Sequence, residues 1–153
     1  MKVLLVEDDE YKRERVEPFL ADVLPSATIQ NARSVQGAVR SLLANRYVLV
    51  ILDMSLPTFD ITIEDPGGRP QPLGGVELLR QMERHERSVP TIVLTQFPRF
   101  QQTSEPDSDL DLAELDRELR AEFPLLYVSA VFFDATNAWR GELKSAIEKL
   151  LDR

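Results

Sequence analysis

With 153 residues the chain is long enough for one domain with a full apolar core and too short for two comfortable ones. Its 26 acidic residues outnumber its 18 basic ones, giving a formal net charge of -8, which disfavours general attraction to nucleic-acid phosphates or an anionic membrane surface. The lack of cysteine excludes disulfides, thiolate metal sites and a cysteine nucleophile, and no apolar run approaches the roughly 20 residues that span a bilayer, so a soluble cytoplasmic protein is expected.

Val3-Leu4-Leu5-Val6 predicts a first strand, which stops at Glu7-Asp8-Asp9-Glu10. Carboxylates suit the first turn of a helix and Asp caps well, which accounts for Asp9 and Glu10. It accounts less well for acid beginning at the strand end itself, where crowded like charges repel unless a cation or solvent screens them. Val16, Phe19, Leu20, Val23 and Leu24 give a helical stripe over residues 11–24, ended by Pro25, with a kink expected at Pro18. Residues 27–30 read as a weak second strand, and Val35, Ala38, Val39, Leu42 and Leu43 mark a helix up to about Asn45.

The central run Val48-Leu49-Val50-Ile51-Leu52 enters Asp53 directly, with Pro57 four residues on. Such uniform apolarity suits a strand covered on both faces, and open α/β sheets bind ligands at the carboxyl ends of their strands. Residues 58–74 hold Asp65-Pro66-Gly67-Gly68 between Ile61-Thr62-Ile63 and Arg69-Pro70-Gln71-Pro72, which reads either as a protruding hairpin-like flap or as a disordered loop. From Gly75, Val76, Leu78, Leu79 and Met82 face a core, and Pro90-Thr91-Ile92-Val93-Leu94-Thr95 is a buried-type strand ending in a hydroxyl. The connection that follows, carrying Phe97 and Phe100, is too long for a plain turn. Leu112, Leu115, Leu119 and Phe123 define the next helix, residues 125–133 a last strand, and Trp139, Leu143, Ile147 and Leu151 the closing helix. Five strands alternating with five helices predict a doubly wound parallel sheet, a single α/β domain over 1–153. The single histidine, His85, lies among charged neighbours and reads as a solvated helix position.

Three predicted strands thus end in related chemistry: Glu7 and Asp8, Asp53, and Thr95. Converging carboxylates make a hard-oxygen site suited to Mg²⁺, a hydroxyl can donate to a phosphoryl oxygen, and Asp53 could itself form an acyl phosphate. Val6-Glu7-Asp8-Asp9, the strand into Asp53 with Pro57 beyond it, and Leu94-Thr95 resemble the receiver (CheY-like) domain of two-component response regulators, in order along nearly the whole chain. The resemblance implies a five-stranded (βα)5, flavodoxin/CheY-like fold with Asp53 as phosphoacceptor. It implies Mg²⁺ held by Glu7, Asp8, Asp53 and the main-chain carbonyl of Ser55, with Asp8 the direct ligand of the acid pair, and Thr95 as the switch hydroxyl. The implied partners are a histidine kinase or phosphotransfer protein and an output protein of unknown identity, with a homodimer as a family-level option and no nucleic acid or membrane.

Two departures qualify this. The family carries a lysine at the end of the fifth strand, whereas Val131-Phe132-Phe133-Asp134-Ala135-Thr136-Asn137 contains neither lysine nor arginine. Of Lys2, Lys12, Lys144 and Lys149 the last two fall inside the closing helix, so neither is a natural substitute; Arg69 on the expected flap or Arg99 after Thr95 could supply the charge. The insertion at 58–74 is the second departure. The family's aromatic switch falls on Tyr127, Phe132 or Phe133, and strict alternation puts Tyr127 and Phe133 on one face. Two readings follow: a stand-alone receiver that takes a phosphoryl group on Asp53, or a pseudo-receiver interaction module independent of phosphate. Neither is an enzyme with turnover. A phosphatase of the haloacid-dehalogenase kind wants a second aspartate two residues after the nucleophile, where Ser55 stands.

Overall fold

The computed structural model describes residues 1–59, 74–96, 99–101 and 109–151. The uniformly apolar runs become β1 (Lys2–Val6), β3 (Leu49–Leu52) and β4 (Thr91–Thr95), the three interior strands of a parallel sheet. β2 (Thr28–Ala32) and β7 (Tyr127–Phe132) flank them in the order β2-β1-β3-β4-β7, and their mixed burial fits edge strands. Helices α1 (Glu10–Val23), α2 (Val35–Ala44), α3 (Gly74–Arg84), α4 (Leu112–Glu122) and α5 (Ala138–Leu151) complete the doubly wound α/β fold that the sequence predicts.

Strand periodicity splits the core into two layers. Leu4, Val6, Val50, Leu52 and Val93 pack with α2, α3 and α4 through Ala38, Leu42, Leu79, Met82, Leu115 and Leu119. Val3, Leu5, Leu49, Ile51, Ile92 and Leu94 face the other way, against Val16 and Leu20 of α1 and Trp139, Leu143 and Ile147 of α5. Asp9 caps α1 by accepting from the Tyr11 amide at 3.2 Å, as its place before the apolar stripe suggests, and α1 runs through Pro18 as one helix. His85 is exposed just beyond α3. Among the described residues no helix is long and apolar enough to cross a membrane.

Two details differ from the sequence reading. Tyr127 and Phe133 do not share a face: Tyr127 packs in the α2–α4 layer and Phe133 in the α1–α5 layer. The cause is a β-bulge. Thr91 pairs with Tyr127 but Ile92 with Ser129, so Val128 is an extra residue that inverts the alternation after it. The second difference is an added antiparallel pair, β5 (Arg99–Gln101) with β6 (Asp109–Asp111), in the long connection before α4. The expected flap at 58–74 lies, apart from Thr58, Phe59 and Gly74, outside the described residues, as do Arg69 and Phe97.

Candidate functional site

Parallel register brings the strand ends level. Val6 pairs with Leu52 and Leu52 with Val93, so the residues that follow each strand emerge at one edge of the sheet. The Asp53 amide donates to the Val6 carbonyl at 3.1 Å, which ties the β3 end to the β1 end. Gly75 lets α3 start against this edge: a Cβ there would lie 2.7 Å from the Asp53 carbonyl oxygen. Ser55 lies half-buried between β3 and α3.

Glu7, Asp8 and Asp53 each offer a carboxylate oxygen within 4.8 Å of the others. Glu7 is 1% exposed, Asp53 5% and Thr95 0%, while Asp8 is half-buried. Crowding of this kind is costly for ionised groups. Burial pushes the Glu7 carboxyl up to about 8; Lys12 opposes the rise and the charge of Asp53 adds to it. Burial, followed by the charge of Asp53, likewise raises Asp8.

The cation that holds this cluster together is Lys12. It stands on the first turn of α1, 1% exposed, with its ammonium 2.6 Å from Glu7 Oε1 and 3.2 Å from Asp53 Oδ1. The same ammonium donates to the Leu94 carbonyl and lies 5.6 Å from the centre of the Phe133 ring. Both Glu7 oxygens are thereby engaged, since Oε2 accepts from the Asp9 amide at 3.1 Å. This corrects the expectation that the site lacks a cation unless Arg69 or Arg99 supplies one. Arg69 and the side chain of Arg99 lie outside the described residues, and the cation seen at the site is a lysine of α1. A sequence signal existed. Lys12, Val16 and Leu20 follow one another at steps of four, so Lys12 continues the buried stripe of α1.

Two buried atoms at this edge have no hydrogen-bond partner among the described residues: Asp53 Oδ1 and Thr95 Oγ1. The contact of Asp53 Oδ1 with Lys12 is an ion pair without hydrogen-bond alignment, so that oxygen keeps an unused lone pair. A buried hydroxyl and a buried carboxylate without partners are costly unless something polar binds between them. At the β7 end the surroundings are aromatic. Phe133 packs against Trp139 with ring centroids 5.1 Å apart, and Trp139 meets Phe19 edge-on. The Phe133 amide donates to the Thr95 carbonyl, and Asp134 accepts from the Thr136 amide and hydroxyl. Phe132 is half-buried, and Tyr127 donates its hydroxyl to Asp116 on the opposite layer.

No family model matches the chain. The Detocs response regulatory protein DtcB of Vibrio alginolyticus is 29% identical over 134 residues, 86% of this chain and 88% of that relative. Among solved structures, the signal receiver domain of an HD domain-containing protein from Pseudomonas fluorescens Pf-5 superposes with a TM-score of 0.63 at 22% identity, covering 99% of this chain and 94% of that one. The response regulator TrrA of Thermotoga maritima, solved in complex with Mg²⁺ and BeF, gives a TM-score of 0.61 at 19% identity over 97% of both chains.

Proposed function

Starting from the receiver fold of response regulators, which this chain has, we propose that it is a response-regulator receiver domain over 1–153 that accepts a phosphoryl group on Asp53 with the help of Mg²⁺. The observation that carries this reading is a pair of buried atoms without a hydrogen-bond partner among the described residues, Asp53 Oδ1 and Thr95 Oγ1, at the edge of a three-carboxylate pocket. The carboxylate oxygen is a nucleophile, and the hydroxyl is a donor for a phosphoryl oxygen once the group is transferred.

The three carboxylates fit a small hard cation: Asp8 and Asp53 would hold it, with the Ser55 carbonyl as the further ligand the receiver resemblance implies, while Glu7, whose oxygens are already engaged, would act from behind them. Such a cation supplies charge neutralisation on the transferring group. The chain's own groups do the rest. Asp53 would present its nucleophilic oxygen at the end of a strand buried on both faces, and the buried Thr95 hydroxyl would donate to a phosphoryl oxygen. A histidine kinase or phosphotransfer protein is the donor this reading implies in the cell, with a further protein to read the change. The face of α4, β7 and α5 is where a homodimer would form.

Incubation with Mg²⁺ and acetyl phosphate, read by intact mass, tests the reading. Wild-type protein is expected to gain one phosphoryl group, and Asp53→Asn or chelation of Mg²⁺ to abolish the gain. An inert wild type under conditions that modify an ordinary receiver would overturn it and favour a phosphate-independent interaction module.

A further inference from the structure

We propose that Lys12, delivered by α1, is the cation that pairs with the phosphoryl group on Asp53, so that the receiver chemistry of this chain works without a lysine at the end of β7. The inference rests on the phosphoacceptor reading and assigns a residue to it.

In the unphosphorylated protein Lys12 offsets the charges of Glu7 and Asp53, and the same position sets it beside any group added to Asp53. Its ammonium is buried, is 3.2 Å from the oxygen proposed to react, and lies on the same sheet edge as the unpartnered Thr95 hydroxyl. Transfer forms a bond between Asp53 Oδ and phosphorus and breaks the bond from phosphorus to the donor, whose electron pair leaves with the donor group: acetate from acetyl phosphate, or an imidazole nitrogen from a phosphohistidine. No proton has to move to or from the lysine, which stays an ammonium throughout. Its part is to face the negative oxygens of the transferring group in a water-poor site, where a fixed charge is worth most.

The β7 end could not take that role as it stands. Its last buried side chain is Phe133, whose ring forms a wall beside the ammonium and is itself locked against Trp139. Asp134, next in the chain, is turned to Thr136. Lys12 therefore approaches Asp53 from the α1 side, and its hydrogen bond to the Leu94 carbonyl sits one residue before Thr95. Drawing the ammonium toward a phosphoryl group would pull on that carbonyl, and through Phe133 would alter the surroundings of Trp139, the only tryptophan in the chain. Phosphorylation should accordingly change Trp139 fluorescence.

Lys12→Met keeps the length of the side chain and removes the charge. Its rate of adduct formation with Mg²⁺ and acetyl phosphate is expected to fall about a hundredfold, the scale seen when one preorganised charge-stabilising group is lost. Mg²⁺ affinity, followed by Trp139 fluorescence, should hold or rise because a competing cation is gone; Lys12→Arg should recover part of the rate. A merely structural lysine would instead lower metal affinity and reactivity together. A folded Lys12→Met variant that reacts at the wild-type rate overturns the proposal while leaving Asp53 as phosphoacceptor. If wild type itself gains no adduct, the phosphoacceptor reading falls and this one with it. Should Lys12→Met fail to fold, wild-type protein with Mg²⁺ and fluoroberyllate decides: a proton–fluorine Overhauser contact to the Lys12 ammonium supports the assignment, and its absence overturns it.

Discussion

On the β1–α1 side of Asp53 the chain places Glu7, Asp8 and Lys12; on the β4–β7 side it places Thr95, Phe133 and Trp139. The first side is charged and its members depend on one another. Glu7 and Asp53 are tolerable as neighbours because one ammonium touches both, and Lys12 is tolerable when buried because two carboxylates and a carbonyl receive it. The second side carries an aromatic stack, with Asp134 beyond it turned to Thr136 and one buried hydroxyl that has no hydrogen-bond partner among the described residues. The contrast shows that two carboxylates buried side by side go with a cation within reach, and that the surrounding packing decides which element delivers it. Among the described residues an aromatic ring lines the β7 side, and the ammonium comes from the helix after β1.

The comparison can be broken from the aromatic side first. Phe133→Ala removes a buried ring from between Trp139 and Lys12, and should cost about 3–5 kcal/mol in urea unfolding. Adduct formation at Asp53 should survive in the fraction that stays folded; if reactivity falls more steeply than stability, the aromatic side belongs to the chemistry. On the charged side, Asp8→Asn leaves the Lys12 contacts with Glu7 and Asp53 in place and removes a ligand, so Mg²⁺ affinity by titration should drop at least about tenfold, roughly 1.4 kcal/mol. Unchanged affinity would show that the metal is not held there. The smallest effect is expected at Asp9, whose side chain caps α1 without touching Asp53. Asp9→Ala should lower stability by about 1 kcal/mol and leave the adduct rate alone. A slowed rate would mean that the cap positions Lys12, three residues further along α1.

The sheet and the carboxylates were legible in the amino-acid sequence for a direct reason. A strand buried on both faces has to be apolar throughout, so the runs ending at Val6, Leu52 and Leu94 announce themselves, and a polar group at the end of such a run has to sit at the sheet edge. Glu7, Asp53 and Thr95 follow from that alone, and Asp9 follows from helix capping. The β5–β6 pair was not legible, because Arg99-Phe100-Gln101 and Asp109-Leu110-Asp111 are each too short for one apolar residue between polar ones to mark a strand. Nor was the separation of Tyr127 from Phe133: parity along a strand holds only while the pairing is regular, and the bulge at Val128 is a property of two strands together.

Lys12 marks the boundary most clearly. By itself the sequence determined that a lysine continues the stripe of Val16 and Leu20, yet long charged side chains normally reach solvent even from such positions, so spacing could not say where its charge ends. Only the tertiary structure, by packing α1 over the end of the sheet, brought that ammonium between Glu7 and Asp53, because an ion pair depends on distance in space and not on distance along the chain.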